Sequence, residues 1–229
     1  MTTSWLDLVP ALPAVGLAFE PWFKGRDALV ALLEPFFSAR TAAGQTFLFY
    51  EFGPLGLRVQ TSAGYVYQFD LVQIVVAFHG DDQAEAPHYS KALAALVEEA
   101  ADLFKHLLPG QRPLTRVGVT ASAEVPRDAV PPGIRAWLGR LAAPAELESV
   151  QARFAAKVAT GEGTVDRVLH RFKQGAGPAR PLEVEFDWQR YHEPPPEVRG
   201  KDVGKRLEEH AEAALRYFET FAAGGSPDA

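Results

Sequence analysis

Two groups of residues in the last third of the chain carry side chains suited to chemistry. His210 lies on or beside the apolar stripe formed by Val203, Leu207, Ala211, Ala214, Phe218 and Phe221. An imidazole there is either a hydrogen-bonded core group or a base or ligand aimed at whatever the stripe covers. Asp187, Tyr191, His192 and Glu193 follow closely on one another at the end of an alternating segment. Carboxylate, phenol and imidazole side by side are the groups of general acid–base catalysis. Successive strand residues point to opposite faces, however, so Tyr191 and His192 cannot both line one pocket unless the strand stops there. Ordinary strand-end polarity is the plainer expectation, and no residue is assigned a catalytic role.

Other chemistries lack their patterns. Cysteine is missing, which removes disulfides, thiolate nucleophiles and thiolate metal sites. The histidines, at 79, 88, 106, 170, 192 and 210, form no HxH, HxxxH or HExxH pair. Gly161-Glu162-Gly163 and Gly175-Ala176-Gly177 read as turns; there is no phosphate-binding loop, dinucleotide fingerprint or GxSxG elbow. No metal and no cofactor are expected.

Charge is more informative. Arg135, Arg140, Arg153, Lys157, Arg167, Arg171, Lys173 and Arg180 outnumber Glu146, Glu148, Glu162 and Asp166, in a chain of net charge −6. Such a molecule is electrically polar, and polarity steers association with an oppositely charged surface. Arg153, Lys157, Arg167 and Arg171 are expected to form one patch, with Phe172 beside it for stacking. Its partner would be an acidic protein surface or a phosphate backbone. The acidic stretch from Asp81 to Asp102 offers a route to self-association.

These groups need elements to position them. A chain of 229 residues, 47% hydrophobic and 23% charged, can bury a core without metal or disulfide. One domain over 1–223 is expected, with a tail at 224–229 and any weak division near 124–132. No apolar run approaches the ~18–20 residues of a membrane span. The first residues lack the basic flank and apolar core of a secretion signal, so a cytoplasmic protein with no membrane partner is expected.

Residues 14–19 alternate as a strand, and Leu29, Leu32, Leu33, Phe36 and Phe37 mark a helix starting at Asp27. Strands at 46–52, 57–61 and 65–71 run into an apolar stretch at 71–78, read as one central or bulged strand. A helix over 89–108 carries Leu93, Leu96, Val97, Ala100, Leu103, Phe104 and Leu107 on one stripe. A strand over 114–125 and a short helix over 134–141 follow. Leu147, Val150, Phe154 and Val158 then suggest a second helix from Pro144 to Gly161. A hairpin over 165–172 and 181–191 precedes the last helix, 201–223. In its second arm Leu182, Val184, Phe186 and Trp188 alternate with Glu183, Glu185, Asp187 and Gln189, the clearest half-buried strand in the chain. The order β-α-β-β-β-α-β-α-α-β-β-α, with hairpins in place of regular βα alternation, reads as α+β: an antiparallel or mixed sheet with helices packed on it.

Three segments carry a resemblance: Leu57-Arg-Val-Gln-Thr-Ser-Ala-Gly-Tyr-Val-Tyr-Gln-Phe-Asp70, Pro113-Leu-Thr-Arg-Val-Gly-Val119, and Leu182-Glu-Val-Glu-Phe-Asp-Trp188 with the helix holding His210 and Phe218. They resemble the paired strands, the strand after the central helix, and the closing strand and helix of a sporadically distributed family of uncharacterised prokaryotic proteins of similar length. After Val119 the chain departs from that pattern, with Thr120-Ala-Ser-Ala where bulkier residues belong. The resemblance covers most of the chain and implies the same element order, but the family has no established activity to carry over. The expected function is a non-catalytic protein-binding or assembly module, a subunit of a larger prokaryotic complex. The alternative is a nucleic-acid-associated protein of a defence or regulatory complex, using the basic stretch at 135–180.

Overall fold

The computed structural model describes residues 4–53, 56–78, 88–108, 110–142, 149–159, 164–174 and 180–225. Its elements in chain order are β1 (Ala11–Phe19), α1 (Arg26–Ala42), β2 (Phe47–Gly53), β3 (Gly56–Thr61), β4 (Tyr65–Asp70), β5 (Gln73–Phe78), α2 (Tyr89–Leu107), β6 (Arg112–Val125), α3 (Pro132–Ala142), β7 (Val150–Ala159), β8 (Thr164–Gln174), β9 (Leu182–His192), β10 (Glu197–Val198) and α4 (Gly200–Ala223). The strands form one antiparallel sheet in the order β2-β3-β4-β5-β1-β6-β9-β8-β7, and β10 pairs with β6. The class is the α+β arrangement expected from the sequence. No described helix is long and apolar enough to cross a membrane.

Strand alternation decides which face of the sheet is covered. Val15, Leu17 and Phe19 of β1, Val117 and Val119 of β6, and Val184, Phe186 and Trp188 of β9 are buried on one side. The four helices pack on that side. Leu93, Leu96, Leu103 and Phe104 of α2 and Val203, Leu207, Ala214 and Phe218 of α4 complete the core. The outer helices lie against the flanks, with Phe36 of α1 meeting Tyr67 and Trp137 of α3 meeting Phe154 and Phe172. Helices α2 and α4 approach so closely that a Cβ at Gly200 would stand 2.0 Å from the Phe104 carbonyl oxygen. Among the described residues, the opposite face of the sheet carries no helix.

The two halves repeat one plan. The order β1-α1-(β2–β5)-α2 is followed by β6-α3-(β7–β9)-α4, and the half-sheets β3-β4-β5-β1 and β7-β8-β9-β6 meet with Gly16 opposite Gly118. Val15-Gly-Leu-Ala18 and Val117-Gly-Val-Thr120 occupy matching places on the two central strands. Strand β2 has no counterpart outside β7 among the described residues. The register makes the halves comparable residue by residue. Val75 faces Gly16 as Gln189 faces Gly118, Gln68 faces Val75 as Arg167 faces Gln189, and Arg58 faces Gln68 as Lys157 faces Arg167.

Besides the two-residue β10, which the expected order does not contain, two elements differ from it. The stretch at 71–78 is not one strand with its predecessor: the chain turns at Leu71-Val72 between β4 and β5. No glycine or asparagine signals that turn. It is held instead from the end of β1 and the segment after it: the Phe19 and Trp22 backbone N–H groups donate to the carbonyls of Val72 and Leu71, and the Trp22 indole donates to the Asp70 carbonyl at 2.8 Å. The second difference is the helix read from Pro144 to Gly161. Residues 150–159 are strand β7, while 143–148 and 160–163 lie outside the described residues. Val150, Phe154 and Val158 are spaced by four, which suits one stripe of a helix and equally one face of a strand. The residues between them decide the matter: Gln151, Arg153, Ala155 and Lys157 are all exposed, and Ala152, Phe154, Ala156 and Val158 are all half-buried.

Candidate functional site

The four cations singled out by charge share one surface. Arg153 and Lys157 point from β7 to the helix-free face, directly opposite Arg171 and Arg167 of β8. Antiparallel pairing brings each facing pair of side chains to roughly 5 Å at Cβ, so like charges are held together there. Neighbours relieve only part of this. Arg171 is bridged to Glu185 at 3.0 Å, and Lys173 likewise to Glu183 at 3.0 Å. Arg167 lies over the Tyr191 ring, 5.2 Å from its centroid. Arg153 and Lys157 have no ion-pair or hydrogen-bond partner among the described residues.

Phe172 is not part of this surface. It is fully buried on the opposite face, packed against Trp137 and Phe186, because one step along a strand reverses the side-chain direction. The aromatic group on the open face is Tyr191, which has Arg167 on one side and Arg116 of β6 at 5.9 Å on the other. Arg116 escaped sequence reading, although the same parity rule identifies it: Val117 and Val119 are buried, so Arg116 and Thr120 face away. Arg116 donates to Gln73 Oε1, and Thr120 Oγ1 donates to Asp187 at 3.4 Å. Around the Gly16–Gly118 pair these side chains ring a depression of about 140 Å3, and the Gln189 amide lies over Gly118 where a Cβ would stand 2.7 Å from it.

Tyr191 and His192 point to opposite faces, as adjacent strand residues must. His192 lies on the helix side, half-buried, and its imidazole is pushed to lower pKa by burial and then by the charges of Arg206 and Arg190. Below it Asp166, with no exposed surface, accepts from Arg190 Nε and Nη2 at 2.8 Å and from the Trp188 indole at 3.0 Å. His210 is a core histidine, 1% exposed, with Nε2 3.2 Å from the Trp188 carbonyl oxygen, to which it donates as the neutral ring. Burial lowers its pKa from 6.5 to about 4.

A second core histidine, His170, escaped the sequence reading. It is fully buried, stacks on Phe154 with centroids 4.3 Å apart, and shares a 2.9 Å hydrogen bond with the Tyr217 hydroxyl. Burial lowers its pKa to about 4 as well. Its signal was its parity with Val168 and Phe172 in an alternating strand. Among the described residues no group of three or more His, Asp or Glu side chains is placed to hold a metal.

Of the acidic stretch from Asp81 to Asp102, residues 79–87 lie outside the described residues. At its other end Glu99 and Asp102 are engaged inside the fold, both binding Arg40, while Glu99 also accepts from the Tyr67 hydroxyl at 2.5 Å. No family model matches the chain, and no curated protein matches it.

Proposed function

We propose that the protein is a non-catalytic binding or assembly module that receives an acidic partner protein on the β7–β8 end of its helix-free sheet face. The observation that carries this reading is the placement of Arg153, Lys157, Arg167 and Arg171 on one face, in two directly facing cationic pairs. Like charges held opposite each other cost stability in the free protein. An anionic partner removes that cost, so the arrangement favours the bound state. His170 and His210, whose imidazoles burial holds neutral, are turned into the core and engaged there, away from the cationic face.

An acidic protein fits better than a phosphate backbone. On β9, Glu183 and Glu185 bridge Lys173 and Arg171 and Asp187 follows on the same face, so acids border the cations along one side and no broad positive track is left for many phosphates. The test is binding of a flexible glutamate-rich 20-residue peptide and of a single-stranded RNA oligonucleotide of similar charge. The account expects the peptide to bind, with affinity falling as salt rises. It expects the variant carrying R153Q, K157Q, R167Q and R171Q to fold normally and to lose that binding. RNA binding tighter than the peptide, or equal peptide binding by the variant, overturns the reading.

A further inference from the structure

The first half of the sheet contains a strand with no counterpart among the described residues of the second half. Strand β2 lies outside β3, and the equivalent lane outside β7 holds no strand among the described residues. In the filled lane Glu51 of β2 stands directly opposite Arg58 of β3, on the helix-free face. The counterpart of Arg58 in the second half is Lys157, by the register already described. The fold therefore displays in β2 the kind of strand that fits beside β7: antiparallel, with an acid facing the cation.

Strand β7 is built to accept such a strand. Its ten residues, 150–159, contain no proline, glycine or acid, so each can donate and accept along an added strand, and among the described residues no strand pairs with its outer edge. On the open face Arg153 and Lys157 lie four residues apart, the same side two rungs along. On the helix side Ala152, Phe154, Ala156 and Val158 are only half-buried, as is Trp137 of α3, which packs on Phe154 at 4.7 Å. Among the described residues those apolar groups have cover on one flank only.

We propose that β7 accepts an eleventh strand from a partner protein, antiparallel, with apolar residues at alternate positions and two acidic residues spaced by four opposite Arg153 and Lys157. This rests on the reading of the β7–β8 side as the binding face. A second copy of this chain pairing β7 to β7 is disfavoured, because it would set arginine and lysine rows against themselves. Addition to a sheet edge draws its affinity from main-chain hydrogen bonds and its specificity from alternate side chains. A strand that brings no acids would desolvate these edge cations without compensation, so one device supplies both selectivity and protection from aggregation.

The test uses the full chain and a blocked decapeptide with valine at alternate positions, threonine between them, and two glutamates four residues apart. Amide exchange of the protein is followed by mass spectrometry. The peptide should bind and slow exchange within 150–159. Methylating the peptide nitrogens on the edge facing β7 should abolish binding, since side chains are kept and the main-chain bonds are lost. R153Q with K157Q should weaken binding roughly tenfold, the effect of two exposed cross-strand charge pairs. Binding of the peptide with exchange in 150–159 unchanged refutes strand addition while leaving the acidic-partner reading intact. Failure of both this peptide and the flexible glutamate-rich peptide overturns both. Self-association through β7, seen as loss of the same protection on dilution without peptide, replaces the partner with a second copy and overturns the proposal.

Discussion

Acidification should unfold this protein through two histidines that its core keeps neutral. His170 and His210 are each lowered from an ordinary 6.5 to about 4 by burial. His210 also feels Arg190, Asp166 and His192, whereas His170 is surrounded by Phe154, Phe172, Phe186, Tyr217 and Phe221. The folded-state pKa lies below the unfolded one, so the unfolded chain takes up protons first as pH falls. Stability from these groups is complete above pH 6.5 and is lost between 6.5 and about 4. The loss is roughly 1.4 kcal/mol per histidine at pH 5.5 and roughly 3 kcal/mol each once pH reaches the folded value. Two such groups together remove a large part of a typical stability of about 5–15 kcal/mol. Urea unfolding at steps from pH 7.5 to 4.5 measures the curve. The variant with H170Q and H210Q, each able to keep a donor near the original partner, provides the comparison. The variant should start less stable at pH 7.5 and show a flatter decline between 6.5 and 4.5. Parallel curves for the two proteins, or resonances of His170 and His210 titrating near 6.5 in the folded state, refute the reasoning.

Three further outcomes follow from packing. Phe186→Ala removes a ring with no exposed surface that touches Trp5, His170, Phe172, Phe218 and Phe221, and should cost roughly 3–5 kcal/mol in denaturant melts. Gly200→Ala forces a methyl against the Phe104 carbonyl oxygen and should cost about 1–3 kcal/mol by parting α2 from α4, read from the same melts. Asp166→Asn leaves Arg190 half-buried beside a neutral amide and should cost about 3 kcal/mol, the lower end for breaking a buried pair because Arg190 retains some solvent contact. Thermal melts with and without a strong chelator should coincide, and a large drop with chelator would reveal a metal bound by distant residues.

Much of this fold was legible because burial writes itself as period. In β9 the run from Leu182 to Gln189 alternates without exception, and its buried parity is the one expected from the sequence. The long stripes of α2 and α4 are equally plain, since a wide apolar face at helical spacing fits no strand. The misread elements are those where local signals are degenerate. In β7 a spacing of four satisfies both periods, and its alanines favour helix locally although pairing with β8 holds them extended. At Leu71-Val72 the turn is imposed by β1 and Trp22, contacts remote in the chain. The candidate surface was half legible: charge grouped Arg153, Lys157, Arg167 and Arg171 correctly, yet adjacency in sequence wrongly attached Phe172 to them. Arg116 and Tyr191 join the face only through the β6–β9 and β8–β9 registers, which no local pattern specifies. The lane beside β7, which holds no strand among the described residues, becomes visible only when the two halves are laid over one another.

The central claim is that an acidic partner docks on the β7–β8 end of the helix-free face. Backbone amide chemical shifts, recorded while the glutamate-bearing decapeptide is titrated into the isotope-labelled protein, test it most directly. The account predicts that the largest changes fall in 150–159, with smaller ones in 164–174 around Arg167 and Arg171, and that α2 and α4 stay still. Changes centred on the helices, or confined to the depression around Gly16 and Gly118, would contradict it.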